Sequence, residues 1–340
     1  MNKLIRIPKP GVVAIENAPM PVPGPNEALL KVLYGGICGS DLGTYKGTFA
    51  YASYPRIPGH ELAVEVIDAP ENNMGIKKGM LATVNPYFNC GLCYPCRTGH
   101  VNCCVQNQTM GAQRDGGFAQ FIAMPVERIY DARGLGARET ALVEPFCISY
   151  HGVKKANIQP GENILIIGAG TIGVMAMLAA KHFGGIVHMA DVAQGKLDHA
   201  KKLGADNTFL NTSPEAFAEW VEQTTRRDGF AVAVEAVGMP ATFQNCIDAT
   251  AFAGRTVLIG ISKKPLENFN FTDIQKKELT IHGSRNAVRQ DFAEVIDAML
   301  ETNMKADGVV TNTYTFDNAP QAFEDFDKRG GEMLKVLIEF

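Results

Sequence analysis

Residues 164–173 read ILIIGAGTIG. An apolar run meets Gly168 without a polar interruption, as expected of a strand buried on both faces. The run TIGVMAMLAAKHFG then continues with the character of a helix. Gly168, Gly170 and Gly173 form G-x-G-x-x-G at that strand-to-helix junction. The first glycine permits the tight turn, the second lets backbone approach a pyrophosphate, and the third lets helix pack closely on strand. Phosphate charge then rests on the helix N-terminus, opened by Thr171 and Ile172. Asp191 ends the next apolar run, IVHMADV, about twenty residues on. A carboxylate there accepts the ribose 2′-hydroxyl of NAD and repels the 2′-phosphate of NADP. Lys196, on the following helix, either reaches the ribose or is a solvated surface lysine.

Outward from this motif, strands and helices alternate. AQGKLDHAKKLGAD reads as an amphipathic helix, and FAVAVEAVG and GRTVLIGIS as strands carrying Gly238 and Gly260 near their ends. Alternation of this kind predicts a parallel sheet with helices on both faces. The first 150 or so residues differ. EALLKVLYGGICG and ELAVEVIDA are short apolar runs ended by glycine or acidic residues, the pattern of strands and turns, with no long amphipathic helix expected. QDFAEVIDAMLETNM and EMLKVLIEF predict a late helix and a closing strand.

A chain of 340 residues suits two domains, and its composition (46% hydrophobic, 20% charged) is that of a globular protein. A net charge of −4 lends no electrostatic support to nucleic acid or anionic membrane as partner. The longest apolar stretch, 164–180, is shorter than a membrane span and broken by glycines. With no signal-peptide run at the N-terminus, the expected location is the cytoplasm. Five of the eight cysteines lie between 90 and 104, which in a reducing compartment argues for metal rather than disulfides. Cys90, Cys93 and Cys96 are spaced C-x2-C-x2-C, and Cys103 and Cys104 follow. Four thiolates close a tetrahedral zinc site with no position for water, so the site is structural. Spacing alone leaves Cys103 and Cys104 as alternatives for the fourth ligand.

Other candidate metal ligands are scattered. Cys38 lies in GGICGSDLGTYKG (35–47), His60 and Glu61 in PRIPGHELA, and Glu144 in ALVEPF. One thiolate, one imidazole and one carboxylate leave zinc an open position, as catalytic sites require. A carboxylate amid ALV and PF needs a partner if buried. Asp41 either accepts the free ring N–H of His60 or stabilises its own turn.

Together, GICGSD, GHE, the C-x2-C-x2-C-x7-C lobe and GAGTIG resemble the zinc-containing medium-chain alcohol dehydrogenase family across essentially the whole chain. The resemblance implies an α/β protein: a GroES-like, β-rich catalytic domain (1–148 and 287–340) interrupted by a Rossmann NAD-binding domain (149–286), with Gly238 and Gly260 also at the cofactor. It implies two zinc ions per chain, NAD, a small-molecule substrate and a homodimer or homotetramer. It picks Cys104 as the fourth structural ligand and leaves Cys103 spare. The EP at Glu144 resembles the sorbitol and threonine dehydrogenase branch, in which glutamate takes a catalytic-zinc ligand place beside Cys38 and His60, and Glu61 lies close to the metal. YPRIPGHE, DGGFAQF, ALVEPFCIS and GSRNA are most similar to bacterial sugar-acid dehydrogenases of the L-galactonate or L-gulonate 5-dehydrogenase and starvation-sensing types. A sugar acid brings a carboxylate, for which Arg285, Arg114 and Arg56 are candidates; Asn286 is a candidate for a substrate hydroxyl. Ser40 is expected to take the hydroxyl proton. Many relatives carry a proton-relaying histidine where this chain has Gly43, so water in that space is the expected relay, with Tyr45 the alternative. Competing readings are a threonine- or sorbitol-type enzyme, a zinc-free quinone-type reductase, and a non-catalytic NAD sensor on the same fold.

Overall fold

The computed structural model describes residues 1–340. The chain divides into two compact units, Met1–Glu144 with Val288–Phe340, and Pro145–Ala287.

The first unit is built on a seven-stranded sheet of mixed direction. The long strand Glu27–Ile37 pairs antiparallel with Glu61–Asp68, Phe121–Pro125 and Lys335–Glu339. Alternate residues of Glu27–Ile37 point inward, and Leu30 and Val32 join Val64, Val66, Phe118, Val336 and Ile338 in its core. The closing strand Lys335–Glu339 lies between Val310–Thr315 and Glu27–Ile37. Its register pairs Val336 with Ile37, which brings the chain's penultimate stretch beside the strand end that leads into Cys38. Gly36 faces Glu61 across the ladder, and a Cβ there would lie 2.0 Å from Glu61 Oε2, so the glutamate side chain lies where any other residue would stand.

One element departs from the β-rich reading of the first 150 residues. Val143–Lys155 is a 13-residue helix. Val143, Phe146, Cys147, Tyr150 and Val153 recur at helical spacing and are all buried. Pro145, an apparent helix breaker, lies in the first turn, where its missing N–H costs nothing.

The second unit carries a six-stranded, wholly parallel sheet. Its order is Asn207–Leu210, Ile186–Asp191, Asn163–Ile167, Phe230–Glu235, Thr250–Leu258, Thr280–Gly283. The central strands are mostly apolar and buried, as a sheet covered on both faces demands. Helices Thr171–His182, Gln194–Lys202, Pro214–Thr225 and Pro240–Ala249 make the crossovers. Ser213 caps the third of these by accepting from Ala216 N at 3.1 Å, with Pro214 at the first helical position. The chain starts in the middle of the sheet and winds outward in both directions, so the order reverses between Asn163–Ile167 and Phe230–Glu235. No helix is long and apolar enough to cross a membrane.

Candidate functional site

The cysteine lobe is one excursion of chain with a short helix, Tyr94–Arg97, and a single 3-10 turn. The sulfurs of Cys90, Cys93, Cys96 and Cys104 lie within 4.8 Å of one another. Cys93–Cys96, Cys90–Cys104 and Cys93–Cys104 are 3.4, 3.6 and 3.8 Å apart. A disulfide needs about 2.05 Å, whereas thiolates about 2.3 Å from one zinc form a tetrahedron with edges of about 3.8 Å. The geometry is therefore that of a four-thiolate zinc site. Cys104 is buried in the cluster and Cys103 is exposed outside it, which resolves the two alternatives left by spacing. Backbone N–H groups of Cys96 and Val105 hold the Cys93 thiol down to about 6, favouring the thiolate.

The second cluster brings the ligand atoms of Cys38, His60 and Glu61 within 4.8 Å of one another. Cys38 is the N-cap of helix Gly39–Lys46, and His60 immediately precedes strand Glu61–Asp68. Asp41 ties the two segments together: Oδ2 accepts from Cys38 N at 3.0 Å and Oδ1 from Gly59 N at 3.1 Å. His60 Nδ1 is buried without a hydrogen-bond partner, 3.9 Å from Asp41 Oδ1. Burial opposes charging of the ring, but Asp41, Cys38 and Glu144 outweigh it and move the imidazole well above its usual range. An orphaned ring nitrogen, a thiol and surrounding carboxylates form a donor set that calls for a cation.

The two glutamates have different partners. Both carboxylate oxygens of Glu61 accept from Lys335 Nζ at 2.7 Å, with both side chains buried. Glu144, in the first turn of Val143–Lys155, is not one of the three mutually close ligands. It accepts a hydrogen bond from the Tyr87 hydroxyl. Burial pushes it up to about 7 against the pull of His60, and Glu61 adds to the rise.

Ser40 is half-buried in the first turn of Gly39–Lys46. Phe49 borders the position beside Gly43 where a water relay is expected. The carbonyl of Gly43 accepts from Thr48 N and Phe49 N, and a Cβ at Gly43 would meet Phe49 Cβ at 3.2 Å. Tyr45 packs its ring on Phe323, centroids 5.8 Å apart. The Arg114 guanidinium lies over the Phe88 ring, 3.8 Å from its centroid, and Arg128 lies over the same ring at 4.2 Å. Arg56 pairs with Asp115 at 3.1 Å.

In the second unit, the glycine turn is shaped by contact. Gly168 has φ +107°, and a Cβ on Gly173 would lie 1.8 Å from Gly168 O. Gly170 caps helix Thr171–His182. Asp191 stands at the end of the neighbouring strand, where Oδ2 accepts from Ala169 N at 2.6 Å and Oδ1 from Ala193 N at 2.9 Å. Its carboxylate thus borders the turn that faces a pyrophosphate. Lys196 is half-buried on helix Gln194–Lys202. Gly238, φ +82°, and Gly260 lie just beyond strands Phe230–Glu235 and Thr250–Leu258. Arg285 and Asn286 follow strand Thr280–Gly283, Asn286 with φ +50°.

Residues 24–133 match the family model of the alcohol dehydrogenase GroES-like domain, and 171–301 that of the zinc-binding dehydrogenases. An L-galactonate-5-dehydrogenase of Escherichia coli (strain K12) is 35% identical, covering 100% of this chain and 99% of the relative. The chain belongs to the zinc-type medium-chain alcohol dehydrogenase family. A sorbitol dehydrogenase of Halalkalibacterium halodurans is 30% identical over 96% of both chains. A solved structure from Escherichia coli CFT073, described as a short chain alcohol dehydrogenase (rspB) complexed with NADH, superposes with a TM-score of 0.91. It is 29% identical over 100% of this chain and 99% of that one.

As a zinc-type alcohol dehydrogenase the chain is an NAD-dependent alcohol oxidoreductase, with the two-domain α/β fold of that family and a four-cysteine cluster that fits a structural zinc. Two residues of the metal cluster escaped the sequence reading. Lys335 left a trace, a lone lysine within the apolar closing run EMLKVLIEF. Tyr87 left none, because its hydroxyl meets Glu144, far along the sequence, only in the folded chain.

Proposed function

We propose that this enzyme oxidises a secondary hydroxyl of a sugar acid or polyol, with L-galactonate or L-gulonate at C5 as the preferred substrates. The full-length similarity to an L-galactonate-5-dehydrogenase carries the choice of substrate. Cys38, His60 and Glu144 would hold the catalytic zinc, with Glu61 beside it and Asp41 fixing the backbone on either side. When bound, zinc supplies a Lewis acid that lowers the pKa of the substrate hydroxyl, and NAD supplies the hydride acceptor. Ser40 is two residues from the thiolate ligand and would take the hydroxyl proton. Asp41 fixes Cys38 and Gly59 through their backbone N–H groups, so the thiol and the imidazole approach the metal from positions set before it binds. Glu61 is charge-matched by Lys335, which leaves Glu144 as the carboxylate whose buried charge a cation would compensate. Arg285 and Arg114 are the candidate partners of the substrate carboxylate, and Asn286 of a hydroxyl. Asp191 would select NAD through the ribose, with Lys196 alongside. A homodimer or homotetramer in the cytoplasm completes the reading.

The test is NAD reduction over a panel of L-galactonate, L-gulonate and L-idonate, with sorbitol and threonine as controls, before and after chelation. Chelator-sensitive turnover of a hexonate above both controls is the expected result. Preferred turnover of sorbitol or threonine would move the enzyme to that branch. Turnover that survives loss of zinc would support a reductase without a catalytic metal, and NAD binding without any turnover a sensor.

A further inference from the structure

Glu235 is the last residue of strand Phe230–Glu235 and is 2% exposed. Its Oε1 accepts three hydrogen bonds, from Val237 N at 2.9 Å, Gly238 N at 2.8 Å and Thr242 Oγ1 at 2.6 Å. Its backbone carbonyl accepts from Ile259 N at 2.9 Å and Gly260 N at 3.1 Å. Its Oε2 lies 2.4 Å from where a Cβ of Gly260 would stand. The turn it holds also touches the glycine motif: a Cβ on Gly168 would meet Val237 Cγ2 at 2.8 Å and the Ala236 carbonyl at 3.3 Å. One carboxylate therefore sits beneath the junction of the turns that follow the three central strands. Every donor to it is neutral; no lysine, arginine or histidine pairs with it. Three neutral hydrogen bonds hold the carboxylate without supplying a counter-charge. Its field is felt locally, since it adds to burial in pushing the Cys246 thiol up.

The position gives that charge a use. In an open parallel sheet the dinucleotide lies outside the carboxyl ends of the strands, across the point where the order reverses. Here the reversal falls between Asn163–Ile167 and Phe230–Glu235. Asp191 marks the half that takes the adenosine. The other half, at the ends of Phe230–Glu235 and Thr250–Leu258, takes the nicotinamide, whose ring is cationic in NAD and neutral in NADH.

We propose that Glu235 sets the redox preference of the cofactor site: its uncompensated buried charge favours oxidised NAD over NADH, so that the product cofactor is the more readily released. The inference concerns the cofactor and holds whichever alcohol is oxidised. A unit charge acting over about 10 Å at an effective dielectric constant of about 20 changes a binding constant roughly tenfold.

The experiment is binding of NAD and of NADH, each without substrate, to wild type, Glu235→Gln and Glu235→Asp, by titration calorimetry and NADH fluorescence. Glutamine keeps an oxygen for the three donors and removes the charge. The ratio Kd(NAD)/Kd(NADH) should rise roughly tenfold in Glu235→Gln, chiefly through weaker NAD binding, and stay near wild type in Glu235→Asp even if both cofactors bind more weakly. An unchanged ratio in a folded Glu235→Gln protein, or equal weakening of both cofactors, overturns the proposal and leaves Glu235 a scaffold for its turn. Should Glu235→Gln fail to fold, Glu235→Asp still decides: a ratio shifted as far as charge removal predicts, with the charge retained, overturns it.

Discussion

Replacing Glu144 by glutamine should act in opposite directions on the metal-stripped and the zinc-loaded protein. The carboxylate is 2% exposed, and burial raises it from the usual 4.5 to about 7. That difference corresponds to about 3 kcal/mol at 1.36 kcal/mol per unit. The folded-state value lies above the unfolded one. The contribution to stability is therefore complete below about pH 4.5 and is lost as pH rises through about 7. At pH 8 the stripped wild type bears the whole cost of a buried anion, whereas glutamine bears none and still accepts from Tyr87. Stripped Glu144→Gln should accordingly be about 2–3 kcal/mol more stable than stripped wild type at pH 8, with most of the gap closed by pH 5. Zinc reverses the order, because the cation compensates the carboxylate in wild type and has lost a ligand in the variant. Urea unfolding at both pH values, with and without chelation, measures the four stabilities, and metal analysis follows the zinc. The cysteine lobe is common to both proteins and cancels in each comparison. A stripped variant no more stable than wild type at pH 8, or a gap that widens toward acid, would refute the reasoning.

Other perturbations separate the remaining parts. Cys104→Ser should lose one zinc per chain and destabilise the first unit, while Cys103→Ser keeps both metals; metal content and thermal midpoint report on each. Tyr87→Phe removes the donor to Glu144 and should weaken retention of the second zinc about 10- to 100-fold, read as the chelator concentration that strips it. Asp191→Ala should narrow the preference for NAD over NADP, measured as the ratio of the two binding constants. Gly43→His brings a Cβ to 3.2 Å from Phe49, which need give only slightly, so the variant should keep its activity or shift its pH profile; a variant that no longer binds NAD or substrate would refute this.

The dinucleotide half of the chain was legible because its signals are local. The run ILII, three glycines and Asp191 all fall within one strand–helix–strand unit, and the packing that requires Gly173 is set within six residues of Gly168. The cysteine lobe was legible for the same reason, except that adjacent Cys103 and Cys104 differ only in which way the chain turns after the 3-10 element. The helix at Val143 was obscured because Glu144 interrupts its apolar residues and Pro145 reads as a breaker until it is seen to lie in the first turn. Gly43 showed only the loss of a side chain; that the following turn closes on its carbonyl is set by Thr48 and Phe49 in three dimensions.

What no local pattern could supply is the charge balance of the metal cluster. Cys38, Asp41, Glu61 and Glu144 converge with His60 from three separate segments, and Lys335 arrives from the last strand of the chain. Burial works against the lysine's charge, yet Glu61 and Cys38 prevail and raise it above its usual range, so it stays a cation in a dry site. Both oxygens of Glu61 are committed to Lys335, and Asp41 is committed to two backbone N–H groups, so Glu144 is left chiefly to His60, whose ring its charge helps to protonate. A bound cation would take over that compensation. The same reasoning explains why a single lysine inside EMLKVLIEF is tolerated: its charge belongs to a cluster assembled by sheet register, with Val336 opposite Ile37, rather than to its neighbours in sequence.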